Sequence, residues 1–362
     1  MDKQTVVVLF GGRSSEHSIS SATAGGVLAA IDRERYAVIP VGITREGAFV
    51  LEQDDPSRFA IDPDSMPEVV DNGTRVRWPE PGGDRRLRVV ASDGSTIDLG
   101  EIDVVLPLLH GLHGEDGAIQ GFFDVLEVPY AGGGILDSAV CLDKHFTKLA
   151  LSAAGIDVAP GITVRSSDWD ADAEAVRARI LDLGPVAFVK PASAGSSVGV
   201  SRVAGGEGLD EAMRIAFAED EKVLVESGIT GREIEVGVLA GRGGARARAS
   251  LPGEVVLTSR SFYDFEGKYL GGEGVEIVCP ADVDEALIAR LQDTAVRAFE
   301  AVDGKGLARV DFFVTADGDL IVNELNTMPG FTQFSMFPKC WVASGLSYSE
   351  LITELVEAGL SK

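Results

Sequence analysis

A predicted β-hairpin near the end of the chain constrains the fold more than any other feature. Residues 308–314 and 320–326 are apolar segments with polar residues at alternate positions, and Asp317-Gly318 lies between them. Alternating polarity on both sides of a Gly-containing turn is typical of two antiparallel strands. The last third of the chain must therefore contain antiparallel sheet.

The polar positions of this hairpin carry a guanidinium and three oxygen donors. Because side chains alternate along a strand, Arg309 and Asp311 share one face, and Glu324 and Asn326 share one face. A four-residue loop at 316–319 would place Asp311 opposite Glu324. Opposed carboxylates repel unless a cation lies between them, and Mg²⁺ prefers carboxylate and amide oxygens. The pattern predicts a Mg²⁺ site, with a solvated polar face as the alternative.

The first third of the chain predicts an open, parallel α/β domain with a surface insertion. Strands are predicted at 5–10, 36–44 and 102–109, a helix at 18–31, and an insertion rich in Asp, Pro, Gly and Arg at about 52–100. Ligands bind such sheets where the strands end, so Glu16 and the loop at 110–117 are candidate ligand contacts. Glu16 could equally be a favourable charge in the first turn of the following helix. His113 could equally be an ordinary histidine whose hydrogen bonds are satisfied within the protein.

The remainder of the chain predicts an α+β arrangement. Strands are predicted at 161–164, 187–190, 222–226 and 234–239, and helices at 136–154, 170–183, 209–217 and 283–301, with a last helix closing the chain. A chain of 362 residues exceeds what one hydrophobic core usually serves, which favours two or three domains. The order of the elements predicts boundaries at 1–135, 136–226 and 227–362.

Further Gly-rich segments suggest contact with a ligand. Lys190 ends a predicted strand before the Gly/Ser-rich loop at 193–199, whose backbone N–H groups could cradle phosphate. A plain turn is the alternative, since the chain contains no GxxxxGK[ST] loop. Residues 261–274 mix aromatics with glycines, which predicts a flap over the site or an exposed loop without a role. Gly330, in the loop after the hairpin, lets backbone approach a ligand closely.

Composition excludes several classes of function. The formal net charge of −25 argues against broad association with nucleic acid or an anionic membrane. The three cysteines, Cys141, Cys279 and Cys340, lack metal-binding spacing, and we expect buried, reduced thiols. The chain shows neither a leader pattern nor an apolar stretch of about 18 residues. We therefore expect a cytoplasmic enzyme.

The hairpin and these loops together resemble the D-alanyl-D-alanine ligase family of the ATP-grasp superfamily. The resemblance rests on the order and spacing of five segments and covers essentially the whole chain; the segments are 11–18, 110–117, 188–200, 261–274 and 308–335. It implies an ATP-grasp fold preceded by an N-terminal α/β domain. It also implies ATP-dependent ligation of two D-alanine molecules through an acyl phosphate, for peptidoglycan precursor synthesis, in a cytoplasmic homodimer that binds neither nucleic acid nor membrane.

By this resemblance ATP is a substrate, and two Mg²⁺ or Mn²⁺ ions on its phosphates are bound by Asp311, Glu324 and Asn326. A monovalent cation is a further cofactor that the resemblance admits. The residues implied to contact the adenine, the ribose and the phosphates are Lys144, Lys190, Ser197, Glu226, Ser227, Ile229, Glu233 and Asn323. Ser227 departs from the family pattern, which commonly has lysine there, and Ala194 departs where many relatives carry an acidic residue.

The same resemblance implies two D-alanine subsites. Glu16 binds the ammonium of the first D-alanine, oriented through hydrogen bonds with Ser196 and Tyr269, and His110 lies nearby. Ser335 and Met336 form the pocket for the carboxylate of the second D-alanine, and Lys268 is a further substrate-binding residue. Arg309 and the Gly330 amide stabilise the oxyanion.

Two other functions are compatible with the sequence. A depsipeptide or D-Ala-D-Ser ligase of the same superfamily would differ in few residues, and Lys268-Tyr269 favours the dipeptide product. An ATP-binding regulatory or scaffold protein could keep this fold without turnover, but the complete set of metal ligands and Arg309 argue against it.

Overall fold

The chain forms four β-sheets with helices packed against them, in a computed structural model that describes residues 3–62, 65–257 and 274–361. Lys268 and Tyr269, and residues 261–273 of the predicted flap, lie outside the described residues. Mixed parallel and antiparallel sheets confirm the predicted fold class. The boundaries proposed between domains stay a prediction.

The first third contains a sheet that is parallel except for one edge strand, and a small antiparallel sheet. Its elements are β1 (Gln4–Gly11), α1 (His17–Ala30), β2 (Tyr36–Ile43), β3 (Phe49–Leu51), β4 (Arg75–Arg77), β5 (Arg86–Val90), β6 (Thr96–Glu101), β7 (Val104–Pro107) and α2 (Ala118–Val125), with a 3-10 turn at Pro56–Phe59. The sheet order β3-β2-β1-β7 has β1 parallel to both neighbours, as predicted. The insertion forms the sheet β4-β5-β6. The loops that follow β1 and β7 therefore lie side by side.

The helix predicted at 136–154 is wrong, because two helices occupy this range. They are α3 (Ile135–Leu142) and α4 (Lys144–Ala153), separated by Asp143 in an extended conformation. The Asp143 carboxylate accepts hydrogen bonds from the backbone N–H groups of His145 and Phe146, so it caps α4 and starts a new helix. Lys144 is thereby placed in the first turn of α4.

The central sheet is antiparallel in the order β10-β9-β11-β8. Its elements are β8 (Gly161–Arg165), α5 (Ser166–Ala171), α6 (Ala173–Leu181), β9 (Val186–Pro191), β10 (Ser201–Ala204), α7 (Leu209–Glu219) and β11 (Lys222–Ser227). The single helix predicted at 170–183 is wrong, because Asp172 caps α6 through the backbone N–H of Ala175 and separates it from α5. Lys190 on β9 and Glu226 on β11 lie on neighbouring strands.

The largest sheet has six strands, and β12 (Arg232–Leu239) and β16 (Leu307–Val314) lie at its centre. The order is β15-β14-β12-β16-β17, and β13 also pairs with β12; the other elements are β13 (Arg248–Ala249), β14 (Gly253–Leu257), β15 (Val275–Val278), α8 (Glu285–Ala301), β17 (Leu320–Asn326), α9 (Met336–Ala343) and α10 (Tyr348–Leu360). Apolar residues of α8, including Leu291 and Phe299, pack on one face of β12, β16 and β17, where Phe312 of β16 lies in the same core. The polar alternate positions therefore face away from α8.

The predicted pairing of Asp311 with Glu324 is confirmed, although the strands reach it by another route. Phe312 pairs with Val322 and Asp311 with Glu324, so Asn323 is an extra residue in β17 and forms a β-bulge. The turn is one residue shorter than predicted: the Thr315 N–H donates to the Asp319 carbonyl at 3.1 Å, so only residues 316–318 lie between the paired residues. The shorter turn and the extra bulge residue offset each other in the count of residues, and the bulge re-aims Asn323.

The cysteines differ in part from expectation. Cys141 and Cys340 are buried free thiols as predicted, but Cys279 is only half-buried. Cys279 directly follows β15, an edge strand, which leaves it partly open to solvent. Among the described residues, no helix is long and apolar enough to cross a membrane.

Candidate active site

One cleft collects the predicted site residues. Its volume is about 320 Å³, and its walls come from the loops after β1 and β7, from β9 and β11, and from β12, β16 and β17. Every predicted site residue that the structure describes lines this cleft, from Glu16 near the N-terminus to Met336 at the start of α9. Residues separated by 320 positions in sequence thus surround a single space.

Three carboxylates form a row across the floor of the cleft. Glu235 on β12 pairs in register with Asp311 on β16, and Asp311 pairs with Glu324 on β17. All three line the cleft. Sequence analysis missed Glu235, although it lies two positions after Glu233 and therefore on the same face of its strand. Its proximity to Asp311 depends on β12 and β16 being neighbours, which the sequence does not reveal.

Arg309 is the cation within this row. Its Nε donates to Asp311 Oδ1 at 2.7 Å and its Nη2 to Asp311 Oδ2 at 2.6 Å, which is a bidentate pair. Its Nε also lies 2.8 Å from Glu235 Oε2. One guanidinium therefore faces three carboxylates, and the row carries excess negative charge when all are ionised.

The electrostatics of the row favour a further cation. Burial raises the pKa of Asp311 to about 7, and the negative charges of Glu235 and Glu324 act in the same direction, while Arg309 opposes them. The Asn326 Nδ2 donates to Asp311 Oδ2 at 3.1 Å, so an amide dipole lies beside the acidic pair. Within the described residues, no group of three or more His, Cys, Asp and Glu side chains has metal-binding geometry. The donor set is instead two carboxylates and one amide, which fits Mg²⁺ that takes its remaining ligands from phosphate and water.

Lysines from the central sheet and α4 face the acidic row. Lys190 Nζ lies 2.7 Å from Glu226 Oε2 and donates to Asn323 Oδ1 at 3.3 Å, across the cleft between the two sheets. Lys148 forms an ion pair with the other oxygen of Glu226. Lys144 Nζ donates to the Ala194 carbonyl at 2.5 Å, beside the Gly/Ser-rich loop. Sequence analysis missed Lys148, because its contact is formed only by tertiary packing.

Glu16 contacts the Gly/Ser-rich loop rather than capping its helix. It stands at the N-terminus of α1, but its side chain makes no capping hydrogen bond there. The Ser196 hydroxyl donates to Glu16 Oε1 instead. Ser196 and Ser197 have φ values of 49° and 60°, in the left-handed region that non-glycine residues seldom adopt. This loop is thus held in a strained conformation beside Glu16, as ligand-binding loops often are.

His110 and Glu115 attach the loop after β7 to the loop after β17. His110 Nδ1–H donates to the Met328 carbonyl at 2.9 Å, and burial lowers the pKa of His110, which favours the neutral ring. Glu115 accepts hydrogen bonds from the Gly111 and Met328 N–H groups at 2.8 and 2.9 Å. Burial raises the pKa of Glu115 to about 8, and the charge of Glu16 adds to the shift. Glu115 was not predicted, whereas His113 is largely exposed and fits an ordinary histidine.

The loop between β17 and α9 forms another wall of the cleft. Gly330, Ser335 and Met336 all line it, and Ser335 precedes the first residue of α9. The Thr332 N–H donates to Ser335 Oγ at 3.2 Å, which holds the Ser335 hydroxyl within the loop. Met336 packs against Cys340 and Val255, so the start of α9 is fixed on β14.

The remaining predicted residues lie where β11 ends and β12 begins. Ser227, Ile229 and Glu233 line this end of the cleft. The Ser227 N–H donates to the Pro160 carbonyl and its hydroxyl to the Leu183 carbonyl, both at 2.8 Å. The hydroxyl of Ser227 is therefore directed at the protein backbone.

These features define an ATP-grasp protein. A four-stranded antiparallel sheet carrying lysines faces a larger sheet carrying acidic residues across a cleft, and an N-terminal α/β sheet closes one side. Solved structures with the same arrangement include the VanG D-Ala:D-Ser ligase from Enterococcus faecalis, with a TM-score of 0.84 and 31% identity over 99% of this chain and 100% of that chain. The structure of the D-alanine-D-alanine ligase from Coxiella burnetii matches with a TM-score of 0.83 and 34% identity, over 99% of this chain and 94% of that chain.

Sequence comparison narrows the class. Residues 5–133 match the family model described as D-ala D-ala ligase N-terminus, and residues 150–357 the one described as D-ala D-ala ligase C-terminus. The chain is 49% identical to the D-alanine--D-alanine ligase of Arthrobacter sp. strain FB24, over 99% of this chain and 95% of that protein. The D-alanine--D-alanine ligase of Streptomyces avermitilis is 46% identical, over 99% of this chain and 95% of that protein. The chain therefore belongs to the D-ala D-ala ligase family.

Proposed function

We propose that the chain joins two D-alanine molecules into D-alanyl-D-alanine with cleavage of ATP to ADP and phosphate, for peptidoglycan precursor synthesis. The main observation behind this proposal is that Arg309 lies between Glu235 and Asp311 on the floor of the cleft. The same cleft is lined by every predicted site residue that the structure describes. Family membership and the 49% identity to a D-alanine--D-alanine ligase support the same reaction. The enzyme class is an ATP-dependent carboxylate-amine ligase.

The first step activates a carboxylate, which is a poor electrophile. A carboxylate oxygen of the first D-alanine attacks the γ-phosphorus of ATP, the bond to ADP breaks, and an acyl phosphate forms. Glu16, fixed by the Ser196 hydroxyl, pairs with the ammonium group of this D-alanine. Lys190 and Lys144 line the same cleft and hold the phosphates. Positioning and charge supply most of the catalysis in phosphoryl transfer.

The second step forms the peptide bond. The amine of the second D-alanine, after losing a proton, attacks the acyl carbon, and inorganic phosphate leaves from the tetrahedral intermediate. The Arg309 guanidinium and the Gly330 N–H stabilise the negative oxygen of that intermediate. One such donor contributes about 3 kcal/mol to transition-state stabilisation. Ser335 and Met336, at the start of α9, bind the second D-alanine.

The acidic row is the proposed site for two Mg²⁺ or Mn²⁺ ions. Asp311, Glu324 and Asn326 would hold them, and the excess negative charge around Arg309 supports this assignment. Bound metal would neutralise charge on the ATP phosphates. The monovalent cation implied by the resemblance stays a prediction.

The adenosine part of ATP is assigned to the other end of the cleft. Residues 226–229 would contact the adenine and Glu233 the ribose hydroxyls. Asn323 and Ser197 also line the cleft, and we assign them to the phosphates. Asn323 reaches the cleft because of the bulge in β17, where it bonds Lys190.

The second substrate is the least constrained part of the proposal. The VanG D-Ala:D-Ser ligase shares the fold at 31% identity, so the architecture fits D-serine as well as D-alanine. The relatives at 46–49% identity are D-alanine--D-alanine ligases, which favours D-alanine. A cytoplasmic homodimer with domains at 1–135, 136–226 and 227–362 completes the proposal and rests on the resemblance.

A substrate panel tests the function. Phosphate release from ATP is measured with Mg²⁺ and D-alanine, D-serine, D-lactate, L-alanine or no acceptor, and products are identified by mass spectrometry. We expect the fastest release with D-alanine alone and a dipeptide product. Faster release with D-serine or D-lactate added to D-alanine would assign the chain to one of the rival ligases. ATP binding without release in any mixture would favour a protein that does not turn over ATP.

A further inference from the structure

A buried triad of charged side chains lies at the wall of the ATP-binding cleft. Glu226 on β11 receives Lys190 at one carboxylate oxygen, at 2.7 Å, and Lys148 at the other. Glu226 is 2% exposed and Lys148 is 8% exposed. Two lysines thus share one carboxylate in an environment where charges are poorly screened by water.

The two lysines differ in what they face. Lys190 lines the cleft and also donates to Asn323 on the far wall, so its ammonium group is directed at the space assigned to ATP phosphates. Lys148 is not among the residues lining the described cleft and contacts Glu226 from α4. Lys144 stands one helical turn before Lys148 and does line the cleft. In the proposed reaction Lys190 and Lys144 bind the phosphates of ATP, and no function has been assigned to Lys148.

The net charge of the triad depends on Lys148. Glu226 with Lys190 alone would form a neutral, closed pair, and incoming phosphate would meet no net positive charge. A second lysine on the same carboxylate leaves the triad with one positive charge in excess. Burial by itself raises the pKa of Glu226, but Lys190 and Lys148 together hold it below its usual value, so the carboxylate stays ionised.

We propose that Lys148 is a positioning residue that neutralises Glu226, so that Lys190 keeps its charge available for the phosphates of ATP. This role rests on the assignment of the cleft to ATP in the proposed function. Lys148 acts through Glu226 and touches neither substrate. It sets affinity for phosphate without contributing to recognition of adenosine.

The test compares five proteins: wild type, Lys148→Met, Lys148→Arg, Glu226→Gln, and the double variant Lys148→Met with Glu226→Gln. Binding of ATP with Mg²⁺, and separately of adenosine, is measured by calorimetry in the absence of D-alanine. We expect Lys148→Met to bind ATP at least tenfold more weakly while adenosine affinity changes less than twofold. Lys148→Arg keeps the charge and should stay within threefold of wild type for ATP.

The double variant separates charge balance from a merely structural role. Removing the Glu226 charge as well frees Lys190 again. Because Glu226 is also assigned to the adenine, ATP affinity is compared with adenosine affinity in the same variant, and the ratio of the two should recover to within threefold of the wild-type ratio. Equal losses for ATP and adenosine in Lys148→Met, or no recovery in the double variant, would overturn the proposal. So would unchanged ATP affinity in Lys148→Met.

A comparison within the Glu226→Gln background covers the case in which Lys148→Met fails to fold, since unpairing a buried carboxylate is costly. With the carboxylate gone, Lys148 has nothing to neutralise, and removing it should change ATP affinity less than threefold. A larger change would contradict the role. Failure of wild-type protein to bind ATP would instead refute the proposed function, and ATP binding without ligation would leave the Lys148 test intact.

Discussion

Glu235 and Asp311 lie opposite each other on neighbouring strands and share the guanidinium of Arg309 as their cation. Glu324 extends the row on the next strand. This arrangement makes Arg309 both a structural counter-ion and the group placed to stabilise an oxyanion. A substitution there must therefore change stability and catalysis together.

Arg309→Ala should lower turnover by about 10²- to 10³-fold, the usual effect of removing one oxyanion donor. It should also lower Tm, because buried carboxylates lose their partner. Arg309→Lys is the matched control, since it restores charge but not the bidentate fork, and should recover Tm more than turnover. ADP release with D-alanine and thermal unfolding measure the two effects. Turnover within tenfold of wild type in Arg309→Ala would remove Arg309 from the mechanism.

Asp311→Asn and Glu324→Gln should each abolish most turnover and raise the Mg²⁺ concentration needed for half-maximal rate. Both remove a charged oxygen donor from the row assigned to the metal. Glu276→Gln, on the exposed part of β15 in the same sheet, is the control and should leave the Mg²⁺ dependence unchanged. An identical Mg²⁺ titration curve in either row variant and in wild type would place the metal elsewhere.

Ser196→Ala should raise the KM for the first D-alanine while leaving the KM for ATP within twofold. The substitution removes the hydroxyl that orients Glu16. Ser193→Ala is a control in the same loop, because Ser193 is held there through its backbone N–H, which donates to Asp220 at 2.9 Å. Initial rates at varied D-alanine and ATP separate the two constants. A rise confined to the KM for ATP would show that the loop acts on the nucleotide instead.

Glu115 should make the protein less stable as pH rises. Its pKa is about 8 in the folded protein, above the ordinary value of 4.5, so between these pH values the folded state binds a proton that the unfolded chain has lost. Stability from this group is present below about pH 4.5 and is lost progressively up to about pH 8. The Tm of wild type minus that of Glu115→Gln should therefore fall across this window and then level off. A difference that is constant or grows with pH would contradict the assignment.

Gly253→Ala should weaken binding of the second D-alanine. A Cβ at Gly253 would lie 2.2 Å from Met336 Sδ and 3.0 Å from Cys340 Sγ, so Met336 must move. Met336 lines the cleft at the proposed second subsite. The KM for the second D-alanine should rise severalfold with unchanged ATP affinity. Gly121→Ala, where a Cβ would lie 3.8 Å from Ile135 Cδ1 in ordinary van der Waals contact, controls for loss of a glycine elsewhere.

The hairpin and the polar residues of its site could be predicted from local sequence patterns. Period two placed Arg309, Asp311, Glu324 and Asn326 on their faces, and the turn residues set the pairing of Asp311 with Glu324. The bulge at Asn323 was not predicted, because a shorter turn and an extra strand residue cancel in the number of residues between Asp311 and Glu324. Sequence spacing alone cannot distinguish the two arrangements.

Contacts between residues that are distant in sequence could not be predicted from local sequence patterns. Glu235 is close to Asp311 only because β12 and β16 are neighbours, and Lys148 reaches Glu226 only because α4 packs beside β11. Both helix breaks were missed as well. Asp143 and Asp172 each continue an acceptable helical pattern, and only their capping hydrogen bonds reveal a new helix start.

The most direct test of the central claim follows an oxygen atom. D-alanine labelled with ¹⁸O in both carboxylate oxygens is incubated with ATP, Mg²⁺ and the protein, and the phosphate and the dipeptide are analysed by mass spectrometry. An acyl-phosphate ligase transfers one labelled oxygen to each phosphate released, in equal amounts with D-alanyl-D-alanine. Phosphate without ¹⁸O, or labelled phosphate without dipeptide, would contradict the proposed reaction.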